Sequence, residues 1–502
     1  MSAVRLETVG MTMRFGEFTA LDDVSIKVPA GSFHALLGEN GAGKSTLVKC
    51  IMGYYRASAG ELMIDDHQVE IANPRQAHAV GLGMVYQHFT LVPSLTGAEN
   101  MVISREDAPR VLDWQRERRA LADFMTTMPF QVPLEVPVAR LAVGEKQKLE
   151  IIKQLYLGRR LLILDEPTSV LTPDEADEVL GLMRGLTQAG RITVLMISHK
   201  FREVTAYADD VTVLRRGHCA GQGKVVQLGH IDLARMMVGD DSLGEPAKRV
   251  GEPGQPVLVV KDARAEDRAG VAEIVIDHLN VRAGEIVGIA GVSGNGQMEF
   301  MEMLAGQRPL TAGRIEVRGE SYGATRAEAQ RHKVRYLPEE PLRNACAPRM
   351  SVAENISFRT FDATSTGAQR FWLKRRDMTR QAAELVEAFK VKTNSLDSPM
   401  RDLSGGNVQR AVLARELSGP VDLLIISNPC FGLDFSAVVE IRSRVMAARN
   451  AGAAVLLLSE DLDEIFELAD RVLVMSEGRI TFETPIDTAD MHEVGHHMAG
   501  HG

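Results

Sequence analysis

Short apolar runs alternate with longer helical patterns along most of the chain. Residues 20–28 (ALDDVSIKV) and 273–276 (EIVI) have strand-like apolar patterns, which predict a β-strand near the start of each half. The runs LLILD (161–165), TVLMIS (193–198) and AVLLLS (454–459) have the length of buried strands. Strands that alternate with helices in this way predict an α/β fold built around a largely parallel sheet.

The same set of motifs occurs twice, in the same order. GENGAGKST begins at Gly38 and GVSGNGQME at Gly291, while LAVGEKQK begins at Leu141 and LSGGNVQR at Leu403. The segments LLILDEPTSVLT and LLIISNPCFGLD also align with each other. Because the matches keep nearly constant spacing, they indicate duplication of a domain of roughly 240 residues rather than a short solenoid repeat.

The repeat predicts two domains, at residues 1–240 and 256–502. The segment 241–255 between them is rich in glycine, proline and charge, which is typical of an exposed linker. Helix-like stretches at 115–128 and 378–389 lie between the first two motifs of each copy and predict a helical subdomain in each domain.

Composition narrows the range of functions. The chain has 502 residues and a formal net charge of −10, which disfavours non-specific binding to nucleic acid. No stretch approaches the roughly 18 apolar residues of a membrane helix, and no signal peptide is visible at the N-terminus. The four cysteines are scattered and form no CxxC pair, so we expect reduced thiols rather than disulfides or a zinc site.

The first copy contains a phosphate-binding motif in its expected setting. Residues 33–37 (FHALL) predict a strand that runs into the G-x-x-x-x-G-K-[ST] loop, and an apolar-faced helix follows. In such a loop the backbone N–H groups and the helix N-terminus face the phosphates of ATP. Lys44 is expected to reach the β- and γ-phosphates, and Ser45 to ligate Mg²⁺. The predicted nucleotide-binding residues of the loop are Gly38, Asn40, Gly41, Gly43, Lys44, Ser45 and Thr46.

Further polar residues follow the predicted strands. Asp165 and Glu166 end the run LLILDE, where an α/β sheet places its site; Asp165 is expected to assist Mg²⁺ and Glu166 to polarise the attacking water. His199 follows a third strand and is expected to contact the γ-phosphate. Gln87 ends another strand, and its amide is placed to contact Mg²⁺ and the water.

These motifs together resemble the nucleotide-binding domains of ABC transporters. GENGAGKST, VYQ at 85–87, LAVGEKQ, LLILDEP and His199 occur in the family's order, and the resemblance covers nearly the whole chain twice. It implies two tandem P-loop ABC ATPase domains, each with a mixed-sheet core and a helical subdomain. It also implies that Phe15 stacks on adenine and that Gln87 couples the site to membrane subunits.

Single chains of this length with two such domains resemble the ATPases of ribose-, galactose- and xylose-type importers and of related nucleoside importers. The segment 85–100, with His88 where sugar-type relatives usually carry an acidic residue, favours the nucleoside branch. The resemblance implies two transmembrane permease partners and, indirectly, an extracytoplasmic solute-binding protein. It places the chain peripherally on the cytoplasmic face of the inner membrane, without nucleic acid.

The second copy lacks the residues expected to carry out hydrolysis. Gln297 and Met298 replace the lysine and serine of the loop, and Asn428 replaces the catalytic glutamate. A thioether cannot ligate a hard cation, and asparagine cannot act as a carboxylate base. Three further replacements complete the pattern: Ser427 stands for Asp165, Glu460 for His199 and Glu339 for Gln87.

The resemblance also indicates which of two nucleotide sites the replaced motif residues belong to. In ABC dimers each nucleotide lies between the loop of one domain and the signature motif of the other, so the two domains are expected to pair within the chain. The intact loop would then meet Ser404, Gly405 and Gly406 of the second domain, while the degraded loop would meet Ala142, which lacks the signature hydroxyl. The sequence therefore predicts one working site and one vestigial site.

Two other functions remain open at this point. One is a soluble tandem-ABC ATPase that acts on ribosomes or DNA, although such proteins usually keep both sites and a long charged linker. The other is a non-hydrolysing scaffold. The H-E-x-x-H pattern at His492–His496 resembles a zinc-protease motif, but it contains a glycine, has no visible third ligand and is interpreted as part of a short terminal helix.

Overall fold

The chain divides into two compact units, each with its own sheet and core. The units are Met1–Leu243 and Gly244–Gly502. The computed structural model describes residues 2–86, 89–105, 107–109, 111–198, 200–238, 248–267, 270, 273–292, 294–362, 373–430, 433 and 435–498.

The first unit, here called unit 1, alternates strands and helices as the sequence predicts. Its strands are β1 (Leu6–Phe15), β2 (Phe18–Val28), β3 (Phe33–Gly38), β4 (Ala59–Ile64), β5 (His67–Val69), β6 (Leu82–Val85), β7 (Leu161–Asp165), β8 (Thr193–Ile197), β9 (Asp210–Arg215) and β10 (His218–Lys224). Its helices are α1 (Lys44–Ile51), α2 (Pro74–Ala79), α3 (Gly97–Ile103), α4 (Trp114–Met125), α5 (Val143–Tyr156), α6 (Pro173–Gln188), α7 (Phe201–Tyr207) and α8 (His230–Val238).

Unit 1 has a small antiparallel sheet and a larger, mainly parallel one. The small sheet has the order β2-β1-β4-β5, and the large sheet has the order β10-β9-β3-β8-β7-β6. Within the large sheet β3 pairs in parallel with β8 and β9, and β7 pairs in parallel with β6 and β8. Residues 161–164 of β7 are fully buried, which explains their continuous apolar sequence, since central parallel strands are covered on both faces.

The second unit, here called unit 2, repeats this order of elements. Its strands are β11 (Pro256–Glu266), β12 (Glu273–Arg282), β13 (Ile286–Ala290), β14 (Ala312–Val317), β15 (Glu320–Ser321), β16 (Val334–Leu337), β17 (Leu423–Ser427), β18 (Ala454–Leu458), β19 (Arg471–Ser476) and β20 (Arg479–Pro485). Its helices are α9 (Gln297–Leu304), α10 (Arg326–Arg331), α11 (Pro341–Asn344), α12 (Val352–Ile356), α13 (Arg375–Ala388), α14 (Gly405–Glu416), α15 (Phe435–Asn450), α16 (Leu462–Leu468) and α17 (Met491–Met498).

In unit 2 the strands form one continuous mixed sheet. The order is β15-β14-β11-β12-β20-β19-β13-β18-β17-β16, and a single parallel pairing between Val275 of β12 and Arg479 of β20 joins its two parts. The two units therefore confirm the predicted α/β class with mixed-sheet cores. In the part of the chain that the structure describes, no helix is both long and apolar enough to span a bilayer.

Most elements named from the sequence are present. Residues 20–28 lie in β2 and 33–37 in β3, and the predicted helical stretches at 115–128 and 378–389 correspond to α4 and α13. The first strand, β1, was not predicted, although it carries Phe15 at its end.

The helix after the second signature motif is anchored by a buried carboxylate. Glu416, the last residue of α14, is fully buried and contacts the guanidinium groups of Arg415 (2.7 Å) and Arg359 (2.8 Å). Arg415 also donates to the backbone carbonyl of Ala345 (2.8 Å). Burial alone would raise the pKa of Glu416, but the two arginines outweigh it and hold the pKa below its ordinary value of 4.5.

We expect Glu416→Gln to destabilise unit 2 by about 3–5 kcal/mol at pH 7, because the buried cation of Arg415 and the partly buried cation of Arg359 lose their counter-charge. The folded-state pKa of Glu416 is depressed, so its stabilisation is fully present above about pH 4.5 and is lost as the pH falls through the lower folded-state value. The difference in melting temperature between wild type and variant should therefore shrink at strongly acidic pH.

Glu340→Gln is the matched control for this experiment. Glu340 pairs with Arg343 at 3.2 Å, and 58% of its side chain is exposed, so its loss should cost under about 1 kcal/mol. Equal melting temperatures for the two variants at pH 7 would contradict the anchoring role of Glu416.

Candidate active site

The parallel register of unit 1 brings three strand ends to one edge of the sheet. Leu36 of β3 lies opposite Ile197 of β8, and Asp165 of β7 lies opposite the same Ile197. The loop that begins at Gly38 and the Asp165–Glu166 pair therefore emerge next to each other. Carboxyl ends of parallel strands are where α/β folds bind ligands.

The phosphate loop has a backbone shape that depends on glycine. Gly43 has φ of 106°, and a Cβ there would lie 2.7 Å from Leu21 Cδ2 and 2.9 Å from the carbonyl of Ala20. Gly43 caps α1, whose first turn contains no acidic residue. The first-turn N–H groups of Lys44, Ser45 and Thr46 have no partner within the helix and suit an anion.

Lys44 lies between the loop and the carboxylates. Its ammonium donates to the carbonyl oxygens of Gly38 (2.6 Å) and Glu39 (3.1 Å). Burial lowers the pKa of Lys44, while the nearby negative charges of Glu166 and Asp165 oppose that shift. The structure thus brings together three residues that the sequence predicted to act at one site.

Glu166 has an unfavourable backbone conformation. Its φ is 49°, in the left-handed region, and its N–H donates to the carbonyl of Ile197 (2.9 Å). Asn428, at the same position of unit 2, has φ of 44° and makes the same bond to Leu458 (2.7 Å). Asparagine tolerates this region better than glutamate does, so unit 1 retains a strained residue at the position where the sequence predicts a catalytic carboxylate.

The donor set at the strand ends fits Mg²⁺. The Ser45 side chain is exposed at the start of α1, and Asp165 is half-buried at the end of β7. Mg²⁺ prefers hard oxygen ligands and commonly takes only one or two from the protein, with phosphate oxygens and water completing the shell. No cluster of three or more His, Cys, Asp or Glu able to hold a metal occurs among the described residues.

Phe15 lies at the end of β1 with 43% of its surface exposed. Its ring makes an edge-to-face contact with Tyr55 (centroids 5.3 Å apart, planes at 81°), and the Lys49 ammonium lies 5.4 Å from the Tyr55 centroid. Tyr55 lies just after α1 in sequence, so it places the Phe15 ring beside the C-terminal end of that helix. Sequence reasoning missed Tyr55, because a lone tyrosine after a helix carries no distinctive signal.

Gln87 and His199, two predicted site residues, lie outside the described residues, as does His88. The segment that follows Gln87 and His88 is anchored at Thr90. The N–H and the hydroxyl of Thr90 both donate to the buried carboxylate of Glu150 on α5. Lys153 completes the cluster, 2.7 Å from Glu150 and 2.9 Å from the Thr90 hydroxyl. The chain just beyond Gln87 is thereby tied to the helix that starts at the first signature motif.

The two signature motifs lie at helix N-termini and differ in what they present. In unit 1, Ala142 precedes α5, and its N–H donates to the Glu145 carboxylate (2.8 Å). In unit 2, Ser404 precedes α14 and is exposed together with Gly405, and its hydroxyl accepts a hydrogen bond from the Asn407 amide (2.8 Å). Only the second motif of the pair thus presents a hydroxyl beside the free N–H groups of a helix start.

In the corresponding loop of unit 2, the side chain of Gln297 bonds to the backbone of the loop. Gln297 is 4% exposed, and its amide donates to the carbonyl of Val292 (3.1 Å), the position equivalent to Glu39. Met298 packs against the apolar core. The Asn428 side chain accepts from the N–H of Glu460 (2.9 Å). Neutral amides therefore occupy the positions at which unit 1 has the Lys44 ammonium and the Glu166 carboxylate.

Comparison with known proteins identifies the same two regions. A family model described as ABC transporter matches residues 21–169 and 276–430. The glucose import ATP-binding protein TsgD13 of Haloferax volcanii is 38% identical, covering 99% of this chain and 96% of its own length. The nucleoside import ATP-binding protein NupA of Lactococcus lactis is 35% identical over 99% and 98%, and the ribose import ATP-binding protein RbsA 1 of Rubrobacter xylanophilus is 38% identical over 97% of each chain.

Among solved structures, an archaeal ribosome recycling factor, aABCE1, crystallised with a ribosomal stalk protein, has a similar fold. Its TM-score is 0.65 and its identity 19%, with 95% of this chain and 90% of that chain covered. At this identity the likeness concerns the fold alone.

We expect Glu166→Asn to be more stable than Glu166→Gln by about 0.5–1 kcal/mol, because asparagine relieves left-handed strain and glutamine does not. Both variants lose the carboxylate, so both should lose hydrolysis. Thermal unfolding without nucleotide checks the stability difference. A Gln variant that melts at the same temperature as the Asn variant, or higher, would contradict the strain at this position.

Proposed function

This chain belongs to the ABC transporter family of ATP-binding proteins, and we propose that it is the motor subunit of an importer that takes up a nucleoside or a simple sugar. Its two cassettes make it an ABC-type ATPase. The observation that carries the proposal is the group of Lys44, Asp165 and Glu166 at one sheet edge, in a chain whose full-length relatives are named import ATP-binding proteins.

In this proposal the residues of unit 1 divide the work of phosphoryl transfer. Lys44 and the N–H groups at the start of α1 bind the β- and γ-phosphates, and Phe15 stacks on the adenine. Glu166 polarises the attacking water, and His199 holds the geometry at the γ-phosphate. Mg²⁺, held by Ser45 and Asp165 with Gln87 beside them, supplies charge neutralisation at the phosphates.

Unit 2 has a different part in the proposal. Its own loop lacks the cation, the Mg²⁺ ligand and the base, so we assign no hydrolysis to it. Its signature residues Ser404, Gly405 and Gly406 instead complete the site of unit 1 from the partner domain, as the family arrangement implies. The exposed Ser404 hydroxyl beside a helix N-terminus supports this assignment, since both groups suit a γ-phosphate.

The proposed partners are two transmembrane permeases that read the movement of the two units through the regions around Gln87 and Glu339. A solute-binding protein outside the membrane would deliver the cargo. The chain would then lie peripherally on the cytoplasmic face of the inner membrane. Support comes from the relatives, which are named for import of glucose, ribose, xylose and nucleosides.

The alternative is a soluble tandem-ABC ATPase acting on ribosomes or DNA. The likeness to a ribosome recycling factor concerns the fold alone, and the import names of the full-length relatives favour the motor subunit. Co-purification separates the two functions: a motor subunit isolates with membrane permeases, and the alternative isolates with ribosomes or nucleic acid. The cargo is then identified by a binding assay on the solute-binding protein of the same system, with nucleosides and sugars compared.

For the hydrolytic site we expect Lys44→Ala and Glu166→Gln each to lower steady-state ATPase activity by at least about 100-fold. Gln297→Ala is the matched change in unit 2 and should leave activity within about twofold of wild type, because the second loop is assigned no role in hydrolysis. ATPase activity that survives Lys44→Ala, or that disappears in Gln297→Ala, would refute the assignment.

A further inference from the structure

A buried glutamate occupies the same place in both units, four residues after His199 in unit 1 and four residues after Glu460 in unit 2. Glu203 lies in α7 after β8, and Glu464 lies in α16 after β18. Their exposed fractions are 7% and 1%. A buried carboxylate is costly unless hydrogen bonds compensate it, so each position calls for a structural reason.

In unit 1 the carboxylate of Glu203 joins two segments that flank the predicted hydrolysis residues. The hydroxyl of Thr168 donates to one oxygen (2.5 Å), and the hydroxyl of Ser198 donates to the other (3.2 Å). Thr168 lies two residues after Glu166, and Ser198 immediately precedes His199 in the sequence. One side chain therefore bridges the turn after the base and the strand end before the histidine.

Lys200 strengthens this bridge. Its N–H donates to the Ser198 hydroxyl (3.1 Å), and its ammonium lies 3.5 Å from the Glu203 carboxylate. The ammonium also donates to the backbone carbonyl of Thr168 (3.3 Å). Both flanking segments are thus held by at least two bonds each, and the negative charge of Glu203 has a counter-charge.

Unit 2 serves as an internal comparison. There Ser459 keeps the bond to the glutamate (2.7 Å), but Cys430 stands in place of Thr168. A thiol is a weaker hydrogen-bond donor than a hydroxyl. Burial raises the pKa of Glu464, although Arg442 lies 3.7 Å away. The bridge between two hydroxyls and a carboxylate thus accompanies the intact set of hydrolysis residues and is altered where that set is lost.

We propose that Glu203 is a positioning residue for hydrolysis: it clamps the Thr168 turn to the Ser198 strand end and so fixes Glu166 relative to the end of β8. This rests on the proposed roles of Glu166 and His199. None of the three clamp residues lies in the phosphate loop, so the clamp affects the chemical step rather than nucleotide binding. Misplacing a reacting group by about 1 Å can cost about 100-fold in rate.

The test compares Glu203→Leu with Glu464→Leu in the full-length protein. Because removal of one buried charged partner can destabilise a fold, the melting temperature of each variant is measured first, and kinetics are compared at a temperature at which wild type and both variants are folded. We expect Glu203→Leu to lower kcat for ATP hydrolysis by about 10- to 100-fold with KM for ATP within about twofold. Glu464→Leu should leave both within about twofold of wild type.

Thr168→Val is the second variant, used if Glu203→Leu does not fold. It removes the hydrogen bond from Thr168 to Glu203 and retains the shape of the side chain. It should lower kcat at constant KM, and combining it with Ser198→Ala should give less than the product of the two separate effects. Glu203→Gln, whose amide can bridge both hydroxyls, should recover part of the lost kcat.

Wild type and Glu166→Gln are measured alongside, so that two kinds of failure can be told apart. A wild-type protein without ATPase activity would overturn the proposed function. An active wild type would overturn the clamp if kcat of Glu203→Leu stayed within twofold, if Glu464→Leu lost as much activity, or if KM changed in step with kcat.

Discussion

Parallel pairing of β3, β8 and β7 is the constraint on which the candidate site depends. The three strands share a register in which Ile197 of β8 lies opposite both Leu36 and Asp165. The phosphate loop and the carboxylate pair are thereby brought together from positions more than a hundred residues apart in sequence. The two segments also interact electrostatically, because the negative charges of Glu166 and Asp165 oppose the fall in the pKa of Lys44 that burial causes.

Unit 2 shows that the backbone features of this site form without the residues predicted for hydrolysis. It keeps the glycine-capped helix after the loop, the left-handed residue after the strand and a buried glutamate, Glu464, at the position of Glu203. Its Gln297 amide donates to the carbonyl of Val292, as the Lys44 ammonium donates to the equivalent carbonyl of Glu39, and its Asn428 side chain accepts from the N–H of Glu460. Duplication followed by such replacement would retain a folded domain and its signature motif while removing hydrolysis from one loop.

The sequence predicted the elements with regular patterns and the residues within motifs. Continuous apolar runs identified β3, β7 and β8, and the loop and the Asp165–Glu166 pair followed from their spacing. Strand β1 escaped because irregularities in its pairing with β2, between Thr8 and Arg14, break the alternation of apolar and polar positions. Contacts such as Thr90–Glu150 and Thr168–Glu203 also escaped, because the partners are 60 and 35 residues apart and carry no motif.

The account's central claim is that one chain hydrolyses ATP at a single loop, the one in unit 1. The most direct measurement traps nucleotide on the full-length protein with vanadate during turnover, counts the trapped ADP per chain and locates it by photocrosslinking and peptide mapping. The account predicts one ADP per chain, crosslinked to peptides of Met1–Leu243 around Phe15 and Lys44. Two trapped ADP molecules per chain, or a crosslink to the loop that contains Gln297, would contradict it.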